Sequence, residues 1–518
     1  MISPPPTARR DREEHHEADV LVIGAGVGGC AFAHALADQG RSVIVLERSL
    51  RQPDRIVGEL LQPGGVRALE QLGLRDCLEG IDAVRVKGYN VIYYGNEVRI
   101  PYSDPVGKTG EHSLGTGADD EKIEEKSMER RRDEDNPPEG RSFHHGRFIQ
   151  RLRQRILSHP NINVIEATAT SLVRNAYSQQ VVGVEATVAG NPDAFFASLT
   201  VIADGYASKF RSTLRPSDRP VVRSRFWALE LIDVPLPVPY AGNVVLGDSA
   251  PVLLYQIGTH ETRALIDIPN DTPTARPAVG GVRAHLRNVV LPSLPPAVQP
   301  AFAAALEPSA PAPRSMPNSF LPATANRTRG LLTLGDALNI RHPLTGGGMT
   351  VALCDAVLLS RLLSPDACPS LADTHAVTAL TRSFHWHRKP LASTINILAQ
   401  ALYALFAATA PTTDPNPNKP LTRSTAFTPL RALQCGCFAY FRLGGVCISG
   451  PVSLLAGIRR HPLLLLYHFF AVALYSMLVF VVQGGRALTA PWRLLLCPTV
   501  LLQACVVIGP YLAAEMRM

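Results

Sequence analysis

The sequence predicts an α/β protein: a Rossmann-type domain, an interleaved β-sheet domain and a C-terminal helical, membrane-associated region. Three observations carry that prediction. A short apolar strand runs through a glycine turn into a helix between Asp19 and Gln39. Two later junctions place aspartate beside glycine, at Asp204-Gly205 and Gly335-Asp336, and two apolar runs free of formal charge close the chain. The 518 residues are 46% hydrophobic and 18% charged, with a mean hydropathy of +0.07. This composition excludes disorder throughout and supports at least two core-bearing units. Soluble domains carry about 25% charged residues, so the apolar excess must be concentrated somewhere.

The first unit reads as βαβ. The strand from Asp19 enters a G-x-G-x-x-G turn at Gly24, Gly26 and Gly29, Cys30 to Gln39 continues as an alanine-rich helix, and Ser42 to Leu46 is a second strand ending in Glu47. Gly24 permits the tight turn, Gly26 lets a pyrophosphate approach the backbone, and Gly29 lets helix and strand pack closely. The helix N-terminus, with Val27 and Gly28, offers free N–H groups and the positive end of the helix dipole to the phosphates. Glu47 is placed to accept hydrogen bonds from a ribose.

From Ser103 to Arg141 the chain is dominated by Glu, Asp, Lys and Arg and reads as a solvated insertion. Gly146 to Leu157 has helical spacing at Phe148, Ile149, Leu152 and Ile156. Short strands follow over Asn161–Ile202, alternation over Val221–Ile268 suggests a substrate-side sheet, and Ala275 to Pro313 reads as irregular helices. A third strand at Leu331–Leu334 precedes Gly346-Gly-Gly348 and an apolar helix from Met349. Pro390 to Ala408 is an apolar helix, and Thr412 to Thr428 a proline-rich break. Leu463–Val482 and Leu494–Ala514 are each long enough to cross a bilayer, although His468, Pro498 and Pro510 should interrupt a simple span.

The net charge of +7 fits attraction to anionic lipid or phosphate. With no basic stripe interleaved with aromatics, no nucleic-acid partner is expected. Nine cysteines without a C-x-x-C pair argue against a disulfide scaffold and against zinc, so no metal is expected. Residues 1–17 contain no apolar core of a signal peptide or anchor and are expected to be disordered.

Three separated glycine and acid motifs suit a flavin dinucleotide, which is long enough to need contacts from several parts of a chain. Asp204-Gly205-x-x-Ser208-x-x-Arg211 and Gly335-Asp336 resemble the D-G and G-D motifs of the FAD-dependent monooxygenases that include the aromatic hydroxylases. A finer resemblance follows from four blocks: Asp54-Arg55-Ile-Val-Gly-Glu-Leu-Leu-Gln62-Pro-Gly-Gly65, Gly140-Arg-Ser-Phe-His-His-Gly-Arg147-Phe, Arg341-His-Pro-Leu-Thr-Gly-Gly-Gly-Met349 and Phe438-x-Tyr-Phe441-x-Leu-Gly-Gly445. These are similar to the squalene monooxygenase (squalene epoxidase) family from Ala18 to the end of the chain.

The resemblance implies an FAD-binding domain of aromatic-hydroxylase-like architecture over residues 18–102, 141–220 and 314–388, a charged insertion over 103–140, a substrate-binding domain over 221–313, and a helical membrane-associated region over 389–518. It implies FAD contacts at Gly24, Gly26, Val27, Gly28, Gly29, Glu47, Arg48, Arg55, Arg147, Val164, Asp204, Gly335, Asp336, Gly348 and Met349. Tyr89 and Gln62 match positions that orient the catalytic site. Tyr255, Pro343, Leu344, Phe406, Phe438 and Phe441 match a substrate-tunnel wall.

The implied chemistry is epoxidation of a terminal alkene of squalene to 2,3-oxidosqualene in sterol biosynthesis, using O2. Electrons would come from NADPH through a separate NADPH-cytochrome P450 reductase, consistent with a single dinucleotide fingerprint. Such an enzyme would sit on the endoplasmic reticulum membrane, facing the cytosol, and draw its substrate from membrane lipid. Two rivals remain at this stage: a flavin hydroxylase reduced directly by NAD(P)H, and a non-catalytic lipid-binding module built on a flavoprotein fold.

Overall fold

The computed structural model describes residues 16–102, 137–215, 219–247, 250–407, 428–482 and 490–516. Most of the expected disordered N-terminus, of the charged insertion and of the proline-rich break lies outside the described residues; at the end of the first, Glu17 is not disordered but begins β1, paired with Phe196.

In chain order the elements that build the site are as follows. The first part contains β1 (Glu17–Ile23), α1 (Val27–Asp38), β2 (Val43–Glu47), β3 (Leu60–Leu61), α2 (Pro63–Gln71), β4 (Val84–Val86), β5 (Gly88–Tyr93) and β6 (Asn96–Pro101). Then come β7 (Gly140–Ser142), α3 (His145–Leu157), β8 (Ile162–Arg174), β9 (Val181–Val188), β10 (Asn191–Ile202), β11 (Val221–Ile232), β12 (Gly242–Leu246), β13 (Val252–Gln256) and β14 (Glu261–Pro269). The last part contains β15 (Arg314–Phe320), β16 (Leu331–Thr333), α4 (Gly347–Leu362), α5 (Thr374–His387), α6 (Lys389–Phe406), α7 (Pro429–Arg442), α8 (Val446–Leu455), α9 (Pro462–Val482) and α10 (Ala490–Glu515).

The first sheet pairs β8, β2, β1, β10 and β16 in parallel, while β9 joins β8 and β10 as an antiparallel strand. Ile23 lies beside both Leu46 and Ile202, and Ile202 beside Thr333. The three motifs read from the sequence therefore leave the sheet at one carboxyl-terminal edge, where α/β sheets bind ligands. α1 is buried along most of its length, with Gly28 facing Leu334, just after β16, and Ala352 of α4.

A second, seven-stranded sheet has the order β15-β11-β14-β13-β12-β5-β6. It corrects the expected division of the chain in two places. β5 and β6, expected in the FAD-binding part, belong here, β5 pairing with β12 and β6 with β5, and so does β15, which pairs with β11. Period-2 alternation reveals that a segment is a strand but not which sheet it joins. In a small sheet, β3-β7-β4, the strand β3 leads directly into Gln62, the N-cap of α2.

The C-terminal helices pack over the second sheet. α7 lies along α9 at a point where a Cβ on Gly436 would overlap Ser476. α9 and α10 are long and apolar enough to cross a membrane, and Leu463, Tyr467, Leu474, Leu478, Leu495 and Leu502 on them are each more than half exposed. The interruption expected at Pro498 and Pro510 does not occur, because α10 runs through both. Proline removes one backbone donor and kinks a helix without having to end it. All nine cysteines are free thiols, and among the described residues no cluster of side chains could hold a metal ion.

Candidate active site

The glycines of the first motif have separate jobs. Gly24 has φ +105°, and a Cβ there would come 2.6 Å from the Ala203 carbonyl oxygen. A Cβ at Gly29 would overlap the Gly24 carbonyl, whereas one at Gly26 would meet nothing within 4 Å. Space is therefore left open in front of the α1 N-terminus, whose N-cap supplies no side chain. Glu47 closes one side, with Oε2 accepting the Ala25 N–H at 2.8 Å and Oε1 the Ser49 N–H at 3.2 Å.

Asp204, Gly205, Gly335 and Asp336 face the same opening from β10 and β16. Asp204 has a buried Oδ1 without a protein partner, and burial pushes its carboxyl upward. Burial also raises the pKa of Asp336, opposed by the fields of Arg341, Arg55 and Arg211. At the start of α4, a Cβ on Gly348 would again meet nothing within 4 Å, while Met349 turns its side chain into the core. Open backbone at two glycine turns, an unsatisfied buried carboxylate oxygen and converging guanidinium groups fit a long anionic dinucleotide such as FAD.

Of the other expected contacts, Arg55 reaches the opening, its Nη2 4.0 Å from where a Cβ on Gly205 would stand. Arg48 and Arg55 are exposed, and Arg147, part-exposed, has Nη1 3.7 Å from Asp82. Val164 lies on β8 beside Val45.

Three buried arginines hold the cradle together: Arg211 and Arg341, quoted in the sequence motifs but given no role there, and Arg153, which no motif included. Arg153 donates to the Ala25, Ser49 and Arg51 carbonyls at 2.9–3.0 Å and lies 3.4 Å from Glu47. Arg211 donates to Asp336 O at 2.7 Å, Tyr206 O at 2.9 Å and Gly205 O at 3.2 Å, tying the second motif to the third. Arg341 donates to the Gly347 and Gly348 carbonyls, and burial lowers its pKa to about 10.

The two candidate catalytic residues meet. Gln62 Nε2 donates to the Tyr89 hydroxyl and, at 2.7 Å, to Thr345 O. The Tyr89 hydroxyl donates to the same carbonyl at 3.1 Å. Tyr102, a residue the sequence did not reveal, donates to Gln62 Oε1 at 2.6 Å and stands edge-on to the Tyr89 ring. Every polar atom of Gln62 is thus used, which fixes the amide orientation. Burial pushes the Tyr89 phenol up to about 12, so it is neutral at physiological pH.

Tyr89 and Thr345 form the polar end of a largely apolar cavity. The second sheet and the 343–345 turn supply one side, and α6, α7, α8 and α9 the other. Among the described residues no acidic side chain, lysine or arginine lines it, and Tyr89, Thr345, Cys437 and His468 carry the side-chain heteroatoms. Of the expected wall residues, Leu344, Phe406 and Phe441 line the cavity. Tyr255, Pro343 and Phe438 are not among the lining residues: Tyr255 donates to buried Glu59 at 3.2 Å, and Phe438 packs on Tyr93.

A dinucleotide cradle on a parallel sheet, joined by a bridging amide to an apolar chamber over a second sheet, defines a flavin-dependent monooxygenase architecture. The fold agrees with solved structures of a probable FAD-dependent monooxygenase from Pseudomonas aeruginosa (TM-score 0.59, 21% identity, 76% of this chain and 97% of that one) and of a flavin-dependent brominase (TM-score 0.63, 14% identity, 89% and 99%). The FAD binding domain model matches residues 19–52, and the squalene epoxidase model residues 196–495. A squalene epoxidase of Aspergillus fumigatus is 54% identical over 98% of this chain and 96% of its own. The squalene monooxygenase of Mus musculus is 39% identical over 97% and 78%. The chain belongs to the squalene epoxidase family.

Proposed function

We propose that this chain is an FAD-dependent monooxygenase that epoxidises squalene to 2,3-oxidosqualene in sterol biosynthesis. The observation that carries the reading is the cavity without a charged lining residue, which ends at Tyr89 and Thr345, both hydrogen-bonded to Gln62. A triterpene offers no charge to recognise, so selection rests on the length and shape of an apolar chamber. When bound and reduced, FAD activates O2 and supplies an electrophilic oxygen.

The protein's own part is to bind, orient and exclude water. Gly24, Gly26, Gly29, Glu47, Asp204, Asp336 and the Gly348–Met349 turn would hold the cofactor, and Arg153, Arg211 and Arg341 keep those loops in register. Gln62 and Tyr89 orient the junction between cofactor and alkene, with the Tyr89 proton directed at the Thr345 carbonyl. Leu344, Phe406 and Phe441 press on the hydrocarbon and keep the site dry. Because four residues of α9 line the cavity, substrate can enter from the membrane in which that helix pair resides.

The electrons come from NADPH through a separate P450-type reductase, and the membrane is the endoplasmic reticulum, with the catalytic part facing the cytosol. Incubating the detergent-solubilised chain with FAD, NADPH, a P450 reductase and squalene should give 2,3-oxidosqualene. Unchanged squalene alongside hydroxylation of an added phenol would instead identify an aromatic hydroxylase.

A further inference from the structure

The last turn of α10 carries a carboxylate that reaches back into the flavin side of the molecule. Glu515 Oε1 accepts from Asn396 Nδ2 at 2.8 Å and Oε2 from Ser393 Oγ at 2.7 Å, and Lys389 Nζ donates to the Glu515 carbonyl. The same Asn396 nitrogen donates to Asn339 Oδ1 at 3.1 Å. Asn339 Oδ1 also accepts from Arg341 Nη2 at 2.7 Å and from Arg388 Nη2 at 3.4 Å, and Arg388 grips Asp355 at 2.7 and 3.0 Å. Glu515, Asn396, Asn339, Arg341, Arg388 and Asp355 are each at most 6% exposed.

The chain of contacts ends at the cradle, where Arg341 donates to the Gly347 and Gly348 carbonyls and its field acts on Asp336. Asn396 is the weak joint. Its Oδ1 has no partner, so two N–H bonds alone fix its amide, one of them to Glu515. Without the carboxylate acceptor the amide can rotate and drop its bond to Asn339, which leaves that side chain to Leu321 O and the two arginines and loosens the seat of the Arg341 fork. In a buried polar network the loss of one partner propagates in this way.

We propose that Glu515 is a positioning residue for the flavin site, so that the second apolar helix, through Asn396 and Asn339, sets the Arg341 fork at the start of α4. The inference rests on the reading of Asp336 and that turn as the flavin cradle. It makes seating of the C-terminal helix pair a condition for tight flavin binding. The contribution is through hydrogen bonding, which glutamine can preserve.

The test is FAD affinity of the full, detergent-solubilised chain, followed by quenching of flavin fluorescence and checked for folding by circular dichroism. E515A and N396A should each weaken FAD about 10-fold, the worth of one buried bond to a charged group. E515Q should stay within about 2-fold of the starting protein, and the E515A/N396A double variant should be no weaker than either single one, because both cut the same link. The squalene KM of flavin-saturated E515A should be unchanged. Unaltered FAD affinity in folded E515A, or additive losses near 100-fold in the double variant, would overturn the proposal. If E515A does not fold, N396A decides, and starting-level affinity there overturns it. D336A separates the two readings: if it binds FAD normally, the cradle assignment falls and this proposal with it, whereas weak binding in D336A beside normal binding in E515A removes only the role of Glu515.

Discussion

The carboxyl edge of the first sheet and the chamber over the second solve opposite recognition problems. At the sheet edge, each loop is held by discrete polar contacts. Arg211 alone joins Gly205, Tyr206 and Asp336, and Arg153 joins Ala25, Ser49 and Arg51. In the chamber almost no polar atom is offered, and helices rather than loops form half the wall. A charged cofactor is recognised by directional groups that can be removed one at a time, while a hydrocarbon is recognised by volume. The Gln62, Tyr89, Tyr102 and Thr345 cluster lies where the two regimes touch.

The largest effect should come from Asp336→Ala. FAD should be lost on gel filtration while the fold persists, and a full flavin complement would break the contrast at its polar end. Tyr89→Phe should act at the junction. It removes the hydroxyl held by Gln62 and Thr345, so kcat should fall about 10-fold with flavin content and squalene KM little changed. A rise in KM alone would place Tyr89 with the hydrocarbon wall.

The smallest effect lies away from both regions, in the second sheet. Asp267 is 1% exposed and accepts from Ser224 and Asn318, and burial raises its pKa to about 6. Its folded value exceeds the unfolded one, so the native chain binds the proton first. The cost of ionising it is therefore fully present above pH 6 and fades as the pH falls towards 4. Asp267→Asn keeps an acceptor without the charge and should stabilise the protein by on the order of 2–3 kcal/mol at pH 8, with no gain at pH 4, as read by denaturant unfolding. An equal gain at both pH values would exclude charge burial as the cause.

The flavin edge was more legible in the sequence than the chamber, for a physical reason. Gly24 and Gly29 are forced by local sterics, and the turn they make follows directly from an apolar strand, so pattern and structure coincide. Arg153 left no such mark, because its partners are backbone carbonyls far along the chain; Arg153 and Ala25 are 128 positions apart. Tyr102 likewise became visible only when β6 was paired with β5. In the chamber, Leu344, Phe406 and Phe441 line the wall, but Pro451, Val452 and Leu465 do so equally and were not anticipated. In helices apolar on every face, hydropathy does not say which side looks inward. Tyr255 and Phe438 were aromatic residues of the same core, one turned to Glu59 and the other to Tyr93.

The division of labour can be tested by filling the chamber while leaving the cradle alone. Ala401, buried on α6, faces the cavity at a distance in sequence from every cradle residue. In Ala401→Trp, squalene epoxidation and flavin content should be measured on the same preparation. The account predicts full FAD occupancy with conversion to 2,3-oxidosqualene reduced at least ~100-fold, the order expected when several kcal/mol of substrate contacts are replaced by overlap. Undiminished epoxidation by the flavin-loaded variant would contradict it, because the hydrocarbon would then be bound somewhere else.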